Sequence, residues 1–491
     1  MSVESRTRQL FSQVKISEES RKTIFLVAGA LLLGATGGLA VVVLPNPLAG
    51  FGLVAGLVVG YFMLGRPLFT LMVAVAIALV VPFGVIPVKL GLTFTLLEAT
   101  LLILLVVWVI RFGLRSDDTE QRLVSSPFDW AVLLLIGMCL FAFILGLEWV
   151  DSSDVFHNFF KFILAIFVFF ATINIIHTQK ALDALLRVIV LAGSGAGFIG
   201  LGLYVLPKSL QERILLALQP LGYPNFRVLR YIEDDPAKGQ RATGLSIDPN
   251  SYGGLLVLVL AVLFCQIISP KPLMRRWQLV ALSLGPAASL MLTYGRGAQL
   301  GALVVVAFVA TVKYRKIWLY LIPASVAGWL VLPENIKTRF LQGFALQDQA
   351  TVMRLDEYRN ALDIIQRYPW FGVGFGNAPS VDLTTGASMI YLTIAERVGL
   401  LGLLAYLLVM FLFFSYCLRN INRLPDPRQQ AIVLGFAGGI IGALAVGVLD
   451  HYFFNIEYSH MATLFWLYMG LAVAQIKIGE NKEYLQGYSG A

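Results

Sequence analysis

Charge is what this sequence has least of. Charged residues make up 13% of its 491 residues and hydrophobic ones 58%, where a soluble chain carries about a quarter charged residues. That balance excludes a water-soluble globular domain. Cysteine is scarce as well: Cys139, Cys265 and Cys417 lie in or at the end of apolar runs without metal-ligand spacing, so neither a disulfide framework nor a zinc site is expected. The apolar runs are continuous rather than alternating, which excludes a membrane β-barrel. The polar, mixed-charge residues 1–22 lack the shape of a signal peptide and are expected to form a cytoplasmic tail. No repeat of 20–50 residues is visible, and no series of carboxylates inside the apolar runs suggests a proton relay. The net charge of +8 sits in short basic loops and does not point to nucleic acid.

What is present is a succession of apolar runs, near 23–44, 48–65, 68–88, 93–112, 129–147, 157–176, 182–206, 246–268, 277–293, 297–312, 317–332, 388–417, 430–449 and 460–476. They predict an all-α integral membrane protein of about 12–14 transmembrane helices. The positive-inside rule orients it. Arg6, Arg8, Lys15, Arg21 and Lys22 place the N-terminus in the cytoplasm; Arg66, Arg111, Lys180, Lys271, Lys313 and Arg419 then fall on the same side, and Glu148 to Asp154 falls outside. The resulting division is a tail at 1–22, N-terminal helices at 23–206, an outer loop at 207–245, and central helices at 246–332. A second outer loop at 333–387, C-terminal helices at 388–476 and a cytoplasmic tail at 477–491 complete it. Both outer loops are too long to be mere connections. In the second, Leu355, Tyr358, Leu362 and Ile365 recur at helical spacing from Met353 to Tyr368, up to Pro369. This is an amphipathic helix expected at the membrane surface, as a cover over a cavity or as a purely structural lid.

Polar chemistry collects at the outer ends of the helices. Thr293-Tyr294-Gly295-Arg296-Gly297 breaks two apolar runs, and an arginine there either meets an anion or snorkels to the headgroups. Arg241 to Asn250 enters the next helix with Asp248 as the expected cap of Pro249; Arg241, Arg230 and Arg227 either face a ligand or pair with loop acids. Arg354 and Tyr358 lie on the loop helix, ahead of Gly372, Gly374 and Gly376. No strand precedes those glycines, so a dinucleotide site is rejected. Ser388, Tyr391 and Leu392 are expected on one helical face, with Glu396 a turn further in and in need of a partner. Asp450-His451 is a solvated loop or part of the same site.

In this order, Arg241…Gly244…Pro249-Asn250, Thr293…Arg296-Gly297, Arg354 to Gly374 and Tyr391-Leu392…Glu396-x-x-Gly399 resemble the O-antigen ligase/polymerase family over roughly 180–476. The resemblance implies a GT-C-like helical glycosyltransferase that uses a polyprenyl-diphosphate-linked saccharide and a glycan acceptor in the lipid bilayer. It implies no nucleotide-sugar donor, no cofactor and no active-site metal. Envelope-assembly proteins are possible partners. Family ligases open the 388 helix with a His-Asn pair, where this chain has Ser388-Met389. An unperturbed serine is no base, so the departure favours a polymerase over a ligase. The expected catalytic residues are Arg296 and Arg241 on the diphosphate, with Asp248 and Glu396 as candidate bases. The expected substrate contacts are Arg354, Arg230, Tyr358, Tyr391, Ser388 and His451, the last also a candidate base. The localisation that follows is the cytoplasmic membrane, with chemistry on its outer face. A saccharide or anion transporter and an envelope scaffold are the competing readings.

Overall fold

The computed structural model describes residues 56, 58–86, 93–113, 124–331, 334, 337, 349–376 and 387–488. The expected run at 23–44, the N-terminal tail and half of the 48–65 run lie outside them. The chain divides into two compact units, Met1–Thr70 and Leu71–Ala491. The described part of the first is largely helical, and every residue discussed below belongs to the second.

The helices in chain order are α1 (Pro67–Val80), α2 (Leu96–Gly113), α3 (Asp129–Leu145), α4 (Ser153–Ile175), α5 (Gln179–Val205), α6 (Lys208–Leu216) and α7 (Pro249–Ile268). They continue as α8 (Arg276–Leu292), α9 (Arg296–Val312), α10 (Trp318–Val331), α11 (Gln349–Arg367), α12 (Ile390–Asn420), α13 (Pro427–Val446) and α14 (Ser459–Tyr488). The one sheet among the described residues is a two-residue antiparallel ribbon, β1 (Arg230–Tyr231) with β2 (Gln240–Arg241). Six helices, α4, α5, α7, α12, α13 and α14, are long and apolar enough to cross a membrane; α1, α2, α3 and α9 are shorter apolar helices. This is the all-α polytopic membrane architecture that the hydropathy predicts.

Starts and crossings follow from local chemistry. Asp248 accepts from the N–H groups of Asn250 and Ser251, both at 2.8 Å, with Pro249 in the first turn. Asp426 caps α13 in the same way ahead of Pro427. Each cap satisfies amides that a helix start leaves without partners. The centre of the bundle is α7 against α13, with α9 and α14 on α13 and α4 on α14. Small residues set the α9–α13 approach: a Cβ on Gly301 would stand 2.6 Å from Val446 Cγ2 and 2.9 Å from the Gly442 carbonyl. Small residues let helices approach closely where lipid offers no hydrophobic drive between them. Leu300, Leu303, Leu404 and Phe411 are exposed, as side chains facing hydrocarbon are expected to be.

Two features depart from the expectation. The first long loop, 207–245, folds into α6 and the β1–β2 ribbon. The 388–417 run is not one continuous helix. Gly399 has φ 82 and ψ 176, which breaks α12, and segment 369–376 fills the break. Val373 and Gly374 donate to the carbonyls of Glu396 and Arg397 at 3.0 and 2.9 Å, and Leu400 donates to Pro369 O at 2.8 Å. A Cβ on Gly372 would lie 2.4 Å from Glu396 O. The glycine series is therefore a backbone strap that satisfies the polar groups freed at a broken span.

Candidate functional site

Most of the residues singled out from sequence gather at one end of the bundle, where β2, the α8–α9 turn, the start of α7, α11, the start of α12 and the α13–α14 loop meet. The α8–α9 turn is built first. Thr293 is fully buried, its hydroxyl donating to Leu290 O and accepting from Gly295 N at 3.1 Å. Tyr294 takes φ 51, a left-handed conformation that side chains rarely adopt. Arg296 opens α9 and reaches Thr351 of α11 through Nη2 at 3.4 Å.

Arg241 locks this turn to α7. Its Nε donates to Thr293 O at 2.7 Å and its Nη2 to Asn250 Oδ1, while Ala242 N donates to Leu292 O at 2.8 Å. Asn250 also neighbours the turn, since a Cβ on Gly295 would lie 3.6 Å from its Oδ1. Both acceptors of Arg241 are neutral. Burial lowers its pKa, Asp248 and Asp450 oppose that shift, and an arginine keeps its charge regardless. Arg230 sits opposite Arg241 in the ribbon, and its Nε donates to Ile247 O at 3.4 Å. Arg227 lines a separate small recess with Leu215, Tyr223 and Pro224.

From the other side α11 lies against α12. Tyr358 donates to Ser388 O at 3.2 Å, and Glu357 Oε2 accepts from Ser388 N at 3.0 Å and from the Ser388 hydroxyl. Arg354, on the same helix, faces Asp450, Arg241 and His451 electrostatically. Asp450 is buried, and burial pushes its carboxyl up to about 8. Asp248 and Glu357 push it the same way, against Arg354 and Arg241. Burial also pushes the neighbouring His451 down to about 4, so it is neutral near pH 7. Asn455 Oδ1 accepts from Glu457 N, so its Nδ2 is the donor to His451 Nδ1 at 2.9 Å. His451 therefore carries its proton on Nε2.

Arg241, Arg296, Arg354, Arg230, Asp248, Tyr358, Ser388 and His451 thus come together, with Asp450. Asp248 is engaged by its two cap bonds and by the Tyr452 side chain. Glu396 is not brought among them. It has the partner the sequence left open: it accepts from the Ala387 backbone and lies 3.6 Å from Arg397 Nε. Tyr391 is turned to α13, donating to Leu444 O at 3.2 Å. Ser388 precedes α12, so it does not share a helical face with Tyr391 and Leu392 as the spacing predicts. Glu357 is the residue the sequence reading missed. Nothing in its local pattern separates it from the other charged positions of an amphipathic helix, and its link to Ser388 spans 31 residues. Among the described residues no three His, Cys, Asp or Glu side chains are grouped to hold a metal ion.

Residues 281–407 match the family model for O-antigen ligase, a shorter span than the 180–476 of the sequence resemblance. The match takes in the Arg296 turn, α11, Ser388 and the Gly399 break, and stops short of Arg241, Asp248 and Asp450. No curated protein matches the chain in sequence. Over residues 281–407, about a quarter of its length, the chain is therefore similar to the O-antigen ligase family.

Proposed function

We propose that the protein is a membrane glycosyltransferase of envelope polysaccharide assembly. It moves a saccharide from a polyprenyl-diphosphate carrier to a growing glycan on the outer face of the cytoplasmic membrane, with both termini inside. The observation that carries this reading is the state of Arg241. It is held rigidly by a carbonyl and an amide oxygen and, among the described residues, by no carboxylate hydrogen bond, beside the Arg296 turn and in range of Arg354, an arrangement suited to a visiting anion. In the reaction an acceptor hydroxyl oxygen attacks the anomeric carbon from the face opposite the diphosphate. The new C–O bond forms as the sugar–phosphate C–O bond breaks, and its electron pair leaves on the diphosphate. Guanidinium forks suit those oxygens, and fixed charge near the membrane surface is worth most where charge develops. The configuration inverts, and no divalent ion is called on.

The test is turnover in proteoliposomes, with polyprenyl-diphosphate-linked oligosaccharide from the host's membranes and EDTA present. Wild-type protein is expected to yield a ladder of longer lipid-linked glycans. Arg296→Ala and Arg241→Lys are expected to lose about 10²–10³-fold in kcat/KM, because neither leaves a bidentate donor in place. The name of the matching family model favours the second reading, single transfer to a final acceptor; one product in place of a ladder would select it. Flux of a saccharide or anion without any product would sink the enzyme.

A further inference from the structure

The transfer needs somewhere for the acceptor's proton to go, and the candidates read from sequence are poorly placed to take it. Asp248 spends Oδ1 on two backbone amides and also meets the Tyr452 side chain. Glu396 is tied to Arg397 and the Ala387 amide. His451 has its free-electron nitrogen, Nδ1, occupied by Asn455. Asp450 is buried and faced by two other carboxylates, Asp248 and Glu357.

Glu357 differs from all of these. It is half-buried on α11, the helix that also brings Arg354 and Tyr358 to this end of the bundle. Its Oε2 takes both the amide and the hydroxyl of Ser388, and its Oε1 has no hydrogen-bond partner among the described residues. Those two Ser388 bonds anchor Oε2 at the mouth of α12. The titratable groups facing it are Tyr358 from its own helix and Asp450 from the α13–α14 loop, both of which Arg354 also faces. Ser388 stands where α12 begins, beside a backbone that Tyr358 also holds.

We propose that Glu357 is the catalytic base: its Oε1 takes the proton of the acceptor hydroxyl while Ser388 holds Oε2. This deepens the glycosyltransferase reading and rests on it. The hydroxyl O–H bond breaks toward Glu357, the oxygen's electrons form the new glycosidic bond, and the diphosphate leaves with the old one. Glu357 then returns its proton to water or to the departing diphosphate. A base supplied by a separate, surface-lying helix also explains how a serine can open α12, since the basic group reaches the site from 31 residues upstream.

The experiment is steady-state turnover of the same lipid-linked oligosaccharide by full-length protein, with Arg296→Ala alongside. Glu357→Gln keeps an oxygen for the Ser388 amide but has no proton affinity. Its kcat is expected to fall about 10²–10⁴-fold with KM for the donor unchanged. The double variant Glu357→Gln/Ser388→His places an imidazole within reach of the same hydroxyl and is expected to recover part of that loss. A Glu357→Gln variant with wild-type kcat, or one altered in KM alone, would show a latch rather than a base and overturn the proposal. So would a loss of kcat that the imidazole leaves untouched. In each of those cases wild-type turnover and its loss in Arg296→Ala leave the glycosyltransferase standing. Absence of wild-type turnover removes both.

Discussion

At the scale of single residues, the site combines fixed positive groups with one carboxyl held neutral by its surroundings. Asp450 meets Arg354 and Arg241 on one side and Asp248 and Glu357 on the other, and burial decides the outcome, an affinity for its proton up to about 8. On the proposed reaction, an ionised Asp450 would stand in the way of an incoming diphosphate. Turnover is therefore expected to decline as pH rises through about 8, and Asp450→Asn is expected to remove that decline, read from a pH profile of kcat/KM. The linked effect on stability has a definite sign. A carboxyl whose folded-state pKa is raised favours the fold fully below its ordinary value of 3.8, and that contribution is lost as pH rises through about 8. Melting temperatures of Asp450→Asn should then change less than those of wild type across the same rise. Arg241, Arg296 and Arg354 were legible in the sequence because charge is rare in this chain and an arginine beside an apolar run needs a reason. Glu357 was not, because its meaning lies in a contact with Ser388 that no local pattern encodes.

At the scale of elements, the α12 break and its strap are a single device. Gly399 can be nothing but glycine at φ 82 with Trp370 O 2.1 Å from where a Cβ would stand. Gly399→Ala is expected to cost at least about 1–3 kcal/mol in backbone strain alone, with the clash added. Thermal unfolding in detergent would measure it, and an unchanged midpoint would refute the account. The sequence showed the glycines at 372, 374, 376 and 399 and the stop at Pro369, yet hydropathy drew one unbroken run through 388–417. Window averaging responds to side chains, whereas the break is a backbone event satisfied by a segment some twenty residues away. The helix on 353–368 was legible from its periodicity, and it forms as Gln349–Arg367. The ribbon Arg230–Tyr231 with Gln240–Arg241 was not, since two residues per strand leave no alternation to read.

At the scale of the molecule, the all-α membrane architecture followed from composition and run length. The proposed orientation has its own test. Cys139, Cys265 and Cys417 are all buried, so cysteines introduced at exposed positions can be read against a low background. In intact cells a membrane-impermeant maleimide is expected to label Lys238→Cys, in the ribbon turn, and to miss Lys271→Cys until the membrane is opened. The reverse pattern would invert the topology. The interruption at Gly399 carries a consequence for how such a protein can diversify. It divides α12 into a short stub, 390–398, that leads inward from Ser388, and a long stem, 400–420, that carries exposed apolar side chains and packs on neighbouring helices. The stub is joined to the strap by main-chain hydrogen bonds, which are indifferent to side-chain identity. A change in the stub can therefore be taken up at the break without passing down the stem, so the site end of α12 and its membrane fit can drift on separate clocks.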